Sequence, residues 1–452
     1  MENKDIEQLE TSSFRDPDAK VFLKDGEIYR RISKNYAKTF EKFINSGLYE
    51  KLLSENLIIE HTQIESDDLI IKPKKVFISY PWEWCFSQLK DAALATLKIQ
   101  KIALEYNMSL KDATPYNIQF LKNKPLLIDT SSFEDFKEKP WVAYRQFCEN
   151  FLSPLVLIAY TDLSLSSLFL GNINGISLAL ASKLLPLKTR FNPNLLWHIH
   201  IHSKMQNKYS ENKTKYDVKI SKNQLLNIID NLYDTVLGIN LKKYKTEWQE
   251  YYSNTNYTED SFGTKKEIIT CFKNKINPKT VWDFGSNTGI FSRIFSKEGI
   301  DVTAFDIDHL AIEKNYLTAK ENGEENIFPL IFDISNPSPA LGFNNEERKT
   351  LTQRAQNVDL ILALALIHHL RITYSIPFSY IAKYFAEISK YLIIEFVDKK
   401  DSKIQTMLLN REDIFDDYTK ENFEKEFGEF YQILEIKPID GTKRTLYLME
   451  RK

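Results

Sequence analysis

Thr280-Val281-Trp282-Asp283-Phe284-Gly285-Ser286-Asn287-Thr288-Gly289-Ile290-Phe291-Ser292-Arg293, continued by Ile300-Asp301-Val302-Thr303-Ala304-Phe305-Asp306-Ile307-Asp308, is the stretch that decides the architecture of this chain. A short apolar run, Thr280 to Trp282, is closed by Asp283. Gly285 and Gly289 frame a tight turn, and Ile290 to Phe295 starts a helical pattern. A second apolar run, Val302 to Phe305, ends in Asp306. Strand, glycine turn, helix, strand and acid, in that order, describe the first half of a nucleotide-binding sheet. Glycine at the turn permits positive φ and lets the backbone approach a ligand with no Cβ in the way. An acid about 20 residues beyond the turn suits the hydroxyl pair of a ribose.

The spacing is Asp-x-Gly-x-x-x-Gly, and Asn287 stands where the middle glycine of a dinucleotide-binding Gly-x-Gly-x-x-Gly would be. No residue is set to face a pyrophosphate. The stretch resembles motif I of class I S-adenosylmethionine methyltransferases, in the variant whose turn reads Gly-x-Asn-x-Gly. That resemblance implies a cofactor with a ribose and an adenine but no phosphate. It assigns cofactor contacts to Asp283, Phe284, Gly285, Asn287, Gly289, Asp306 and Ile307, and, at the end of a third strand, to Asp333 and Ile334.

Toward the C-terminus the same scheme continues. Ile327 to Ile334 reads as the third strand, Val358 to Leu364 as the fourth and Tyr391 to Val397 as the fifth. Phe430 to Ile436 and Arg444 to Met449 fit a closing antiparallel pair. Apolar runs separated by helical segments predict an α/β, doubly wound, Rossmann-like sheet of seven strands buried on both faces. Ligands in such sheets sit beyond the carboxyl ends of the strands, where Asp283, Asp306, Asp333 and His368 fall. His368 and His369 follow the fourth strand and are the candidate bases should the acceptor be a hydroxyl. A structural role under the pocket is the competing reading. No metal is expected in this domain. The chain lacks Asn-Pro-Pro-Tyr, Asp-Pro-Pro-Tyr and Pro-Cys sequences, which argues against methylation of nucleic-acid bases.

Length and charge bound the rest. At 452 residues the chain implies about two or three domains. Lys and Arg total 60 against 62 Asp and Glu, so no nucleic-acid partner is expected. Cys85, Cys148 and Cys271 lie far apart with no metal-ligand spacing and read as thiols of a reducing compartment. Met1 to Gln8 is polar and acidic, unlike a secretory signal. The longest apolar stretch, Phe151 to Leu170, contains Pro154, Asp162 and several serines and reads as a buried helix pair. A cytoplasmic protein with no membrane partner is expected.

The N-terminal half opens on a hairpin, Val21 to Ile32, with Asp25-Gly26 in its turn. Residues 35–54 carry apolar side chains at helical spacing, interrupted at Gly47, and strands are predicted over 57–64 and 69–71. After Pro81 a long helix runs from Ser87 to Tyr106. Asp112 and Asn117 then follow with Asp-x-x-x-x-Asn spacing, and Asp129 ends the run Leu126-Leu127-Ile128. This order resembles the protein-kinase-like fold. The resemblance implies an ATP-Mg or substrate site at Asp112, Asn117 and Asp129, as orienting acid, second and main Mg²⁺ ligand. The departures are large: no glycine-rich loop, Leu110-Lys111 before the aspartate, Thr130-Ser131 after Asp129, and only Arg30 or Arg31 to stand for the strand lysine. A degenerate domain that binds substrate or positions its neighbour is the better reading. Residues 140–250 read as mostly helical, and packing outweighs a metal site for His198, His200 and His202. Tyr251, Tyr252 and Tyr257 are read as a cofactor roof or an interdomain contact. The domains are thus expected at 1–139 (kinase-like α+β), 140–250 (helical, continuing it) and 251–452 (methyltransferase).

The whole pattern, including Tyr80-Pro81-Trp82-Glu83-Trp84, Ser87 to Leu94, Asp112 to Phe120, Ile128-Asp129-Thr130 and Ala363 to His369, looks like a bacterial two-part family of nodulation-protein-like class I methyltransferases. The resemblance implies transfer from S-adenosyl-L-methionine to a small-molecule or carbohydrate acceptor, with the N-terminal domain recognising it. A bifunctional kinase-methyltransferase and a non-catalytic cofactor-binding protein are the alternatives.

Overall fold

The computed structural model describes residues 7–205, 219–241, 259–355, 358–409 and 412–452. Tyr251, Tyr252, Tyr257 and most of the lysine-rich stretch 204–219 lie outside the described residues. Two compact units separate, one drawn from Met1–Lys243 with Pro339–Lys349, the other from Tyr244–Ser338 with Thr350–Lys452.

In the N-terminal unit, Asp25 and Gly26 take φ of 53° and 77°, as a tight two-residue hairpin turn requires. They join β2 (Ala19–Lys24) to β3 (Glu27–Ile32). With β1 (Gln8–Leu9), β4 (His61–Ile64) and β5 (Ile70–Pro73), these make a five-stranded antiparallel sheet ordered β1-β2-β3-β5-β4. The strand predicted over 57–64 is shorter because Leu57 and Ile59 exchange backbone hydrogen bonds with Leu127 instead, at 2.9 and 2.8 Å. Helix Ala37–Asn45 buries Phe40 and Phe43, and Gly47, at φ 83°, separates it from Leu48–Ser54. Helix Phe86–Glu105 matches the predicted long helix within a residue at each end; Gln88 caps it by accepting the Cys85 N–H at 2.9 Å.

β6 (Met108–Leu110) pairs with β9 (Phe133–Asp135), and β7 (Ile118–Leu121) with β8 (Lys124–Leu127), both antiparallel. This pairing brings two loops together: the Lys111 N–H donates to Ser132 O at 2.9 Å, and the Ile128 N–H to Asn117 O at 2.8 Å. In the helical part that follows, Ser153–Tyr160 is buried from Ser153 to Ala159. The rest of the apolar run forms short turns at Leu163–Ser167 and Leu168–Gly171 that bury only Ser166 and Phe169, so the expected buried helix pair is present in its first half alone. Among the described residues no helix is long and apolar enough to cross a membrane. Pro339–Lys349 completes this unit from a distant part of the chain. Arg15 donates to Glu347 Oε1 from Nε and Nη2 at 3.0 and 2.7 Å, Lys349 pairs with Glu10 at 2.6 Å, and the Arg348 guanidinium lies 4.1 Å from the Tyr116 ring centroid.

The C-terminal unit is built on β10 (Thr280–Phe284), β11 (Asp301–Asp306), β12 (Ile327–Ile331), β13 (Val358–Ala363), β14 (Ser389–Val397), β15 (Tyr431–Ile439) and β16 (Arg444–Arg451). Their order is β12-β11-β10-β13-β14-β16-β15, parallel through β14, with β16 antiparallel to both β14 and β15. The order reverses at β10, whose neighbours β11 and β13 lead away in opposite directions; a cleft opens at such a switch point. One face packs Val281, Leu360, Leu362 and Ile393 against Ile269, Phe272 and Phe295. Elsewhere Phe284 stacks on Phe305 and Phe385 at 5.1 and 5.9 Å. Burial on both faces is why these strands read as continuous apolar runs. The helix predicted from Ile290 is present only at Arg293–Ser296, after successive turns.

Candidate functional site

A cavity of about 790 Å³ opens in the C-terminal unit, lined by Asp283, Phe284, Gly285, Asn287, Asp306, Ile307, Asp333, Ile334, His368 and His369 among others. The turn after β10 is held to the neighbouring strand: the N–H groups of Gly285 and Ser286 both donate to Phe305 O at 2.9 Å. Gly285 sits at φ 76°, and the atom nearest to an added Cβ is Leu366 Cδ1 at 3.6 Å. Asn287, at φ 50°, donates its N–H to Asp306 Oδ2 at 2.7 Å, and Asp308 donates its own to Oδ1 at 2.9 Å. Asparagine tolerates this left-handed backbone better than most residues do. Gly289 differs from the other candidates. It is not among the cavity-lining residues, and at φ 76° a Cβ there would come within 2.6 Å of the Asn315 amide.

Two acids are strongly perturbed. Burial pushes Asp283 up to about 7, against the Ser292 hydroxyl that donates to its Oδ2 at 2.5 Å; the neighbouring Asp306 adds to the rise. Burial pushes Asp306 up to about 6, partly offset by the backbone N–H groups of Asp308 and Asn287. A cation or further hydrogen-bond donors beside either acid would favour its ionised form. Asp333 is fixed by its own turn, accepting from Ser335 N and Oγ at 2.9 and 2.6 Å.

His368 is buried, its ring and that of His369 have centroids 4.3 Å apart, and its Nδ1 has no hydrogen-bond partner among the described residues. Burial holds His368 well below the usual imidazole range, and burial first, then Arg444, holds His369 near 4. Both are neutral at neutral pH, with little basicity to offer.

Several lining residues escaped the sequence reading. Lys265 is fully buried, its Nζ 2.6 Å from Glu395 Oε2 and 4.6 Å from the Phe291 ring centroid. Arg444 lies 3.5 Å from the same glutamate and donates from Nε to Asp401 at 3.0 Å, so the buried charges balance. The spacing Phe262, Lys265, Ile269, Phe272 places Lys265 on the inward face of its helix, and that signal was available. Ala365 takes φ 50°, a strained conformation for a residue with a Cβ. Tyr374, Lys403 and Thr406 also line the cavity.

In the N-terminal unit Asp112, Asn117 and Asp129 converge. Asp129 is ion-paired with Arg30 and accepts from Ser131 N, Ser131 Oγ and Ser132 Oγ at 3.0, 2.5 and 2.6 Å. Burial opposes its ionisation, but Arg30 and the two serines hold it down to about 2. Asn117 donates to Ser132 Oγ at 3.3 Å. Burial, then Asp129, raises Asp112, with Asn117 and Thr114 donating to it. Arg31, the other candidate cation, pairs instead with Glu7 and Asp68. Among the described residues no group of three or more His, Cys, Asp or Glu is placed to hold a metal. His198 spends both ring nitrogens on Tyr144 and Asn231, at 2.6 and 2.7 Å.

Residues 258–435 match a family described as a methyltransferase domain. The chain is 32% identical over 458 residues to the nodulation protein NoeA of Rhizobium meliloti (strain 1021), covering 97% of this chain and 95% of that protein. Among solved structures, it is similar to the PH0226 protein from Pyrococcus horikoshii OT3, at 15% identity over 46% of this chain and all of that one, with a TM-score of 0.33. It is also similar to the magnesium protoporphyrin IX methyltransferase of Synechocystis PCC 6803, at 14% identity over 45% of this chain and 93% of that one, with a TM-score of 0.33.

Proposed function

From the premise that this chain belongs to the family of the nodulation protein NoeA and is an S-adenosylmethionine-dependent methyltransferase, we propose how its residues divide the work. The observation that carries the proposal is that Asp283, Asp306 and Asp333, at or just beyond the carboxyl ends of three adjacent strands, reach one cavity. Asp306, its oxygens already aligned by two backbone N–H groups, accepts from the ribose hydroxyls. Asp283 and the turn from Gly285 face the cationic amino-acid end, and Asp333 with Ile334 meets the adenine. The bound sulfonium supplies an already activated methyl group. The protein's task is then to hold acceptor, methyl carbon and sulfur in line and to exclude water. His368 and His369, neutral in this setting, orient the acceptor through hydrogen bonds rather than serve as strong bases.

The acceptor is a small molecule or carbohydrate, and the N-terminal unit recognises it. A screen of metabolite pools with labelled methyl donor tests this: label in a small, protease- and nuclease-resistant product supports it, and label in nucleic acid or protein overturns it. The convergence of Asp112, Asn117 and Asp129 favours one second reading, phosphoryl transfer from ATP-Mg on the same acceptor. A metal there would have to displace Arg30 from Asp129, which weighs toward recognition. ATP-Mg binding that is lost in Asp129→Ala would reverse that weighting.

A further inference from the structure

No Asp or Glu occurs between Asp162 and Glu211. Within this stretch, helix Leu178–Leu184, the turn Leu187–Phe191 and the helical turn Leu196–Ile201 are tied together by one buried ring. His200 meets Ser182 Oγ at 2.8 Å through Nδ1 and Thr189 Oγ1 at 2.9 Å through Nε2. With polar groups used inside the knot, apolar ones are left outside: Phe191 is 87% exposed, Leu187 71%, Trp197 60% and Leu184 41%. Lys183, Lys188 and Arg190 are exposed on the same elements. Isolated exposed apolar residues are ordinary, but aromatic and leucine side chains interleaved with cations on one knot of backbone are not.

We infer that the exposed apolar and cationic side chains of these three tied elements together rest on an anionic phospholipid bilayer as a peripheral contact. Leucine and aromatic side chains gain by entering the headgroup–acyl boundary, while lysine and arginine reach the phosphates beside them. A second copy of the chain fits poorly, because an isologous contact would set Lys183, Lys188 and Arg190 against the same cations. Phe191 and Trp197 could stack on bases, but the exposed leucines beside them, Leu184 and Leu187, gain from an acyl boundary and not from a nucleic acid, which favours lipid. Such a contact differs from the expected absence of a membrane partner, since a peripheral contact needs no spanning segment.

Flotation of the full chain with vesicles tests it. The wild type is expected to float with vesicles containing phosphatidylglycerol and not with phosphatidylcholine alone. Lys188→Glu/Arg190→Glu and Phe191→Ser/Trp197→Ser should each weaken flotation by about tenfold or more, with circular dichroism and melting unchanged. No flotation, equal flotation on neutral vesicles, or flotation indifferent to both variants overturns the inference. So does a dimer, or a nucleic-acid complex, that is lost in these variants while no flotation occurs.

Discussion

Asn287 donates its backbone N–H to Asp306 Oδ2 at 2.7 Å, so the turn after β10 is closed by the acid that ends β11. The two halves of the opening motif are one object, not two neighbours. Its geometry depends on Asn287 holding φ 50°. Replacement by glycine keeps this backbone but gives up the Thr288 N–H bond to Asn287 Oδ1 at 2.9 Å, so it should destabilise less than a β-branched residue does. Asn287→Val should cost about 1–2 kcal/mol of stability in urea titration, because a β-branched residue resists this conformation.

We propose that Gly289, which the sequence motif assigns to a cofactor contact, serves packing instead. A Cβ there would lie 2.6 Å from Asn315 Nδ2, and Asn315 is fully buried. Gly299, at φ 80° with no atom of the described residues within 4 Å of an added Cβ, is the control. Gly299→Ala should cost about 1 kcal/mol, and Gly289→Ala at least about 2 kcal/mol more. Equal midpoints for the two variants would contradict this assignment.

The acids Asp283 and Asp306 give a signed pH dependence. Their folded values, about 7 and about 6, lie above the ordinary carboxylate value. The folded chain therefore holds these protons more tightly than the unfolded one. The stability this contributes is full below about pH 4 and is lost as pH rises through about 6 and 7. A cationic ligand prefers the ionised acids, so affinity for S-adenosylmethionine should rise across that same window. Differential scanning from pH 5 to pH 8 checks both: the ligand-induced rise in Tm should grow with pH, and a flat or falling rise would refute the assignment.

Arg30 and Asp129 give the opposite sign. Arg30 helps to hold Asp129 near 2, so their contribution is present above the ordinary aspartate value of about 4 and lost as pH falls through about 2. Arg30→Met leaves a buried carboxylate without its cation and should cost about 3 kcal/mol at neutral pH. Adding Asp129→Asn should recover part of it. No loss in Arg30→Met, measured by urea unfolding, would mean that the pair is not coupled.

The strands β10 to β14 were legible because burial on both faces writes each as an apolar run, and Asp283, Asp306 and Asp333 were legible as the acids that close such runs. The hairpin turn was legible because few residues besides glycine accept its backbone. What stayed hidden depends on contacts far away in sequence. Leu57 and Ile59 satisfy Leu127 rather than extending β4. Pro339–Lys349 groups with the N-terminal unit through Arg15, Glu10 and Tyr116. Ala365 at φ 50° carries no residue-type signal, since alanine is common everywhere else. Arg30 could be named only as one of two cations, because period-two alternation does not say which face meets a distant loop.

The most direct test is calorimetric titration of S-adenosylmethionine into the wild type and into Asp306→Ala. The wild type should bind with one-to-one stoichiometry, and the variant should bind about a hundredfold more weakly, as expected when an ionised acceptor of hydroxyl hydrogen bonds is lost. Equal affinity in the two proteins, or no binding to the wild type, would contradict the assignment of this cavity to the methyl donor.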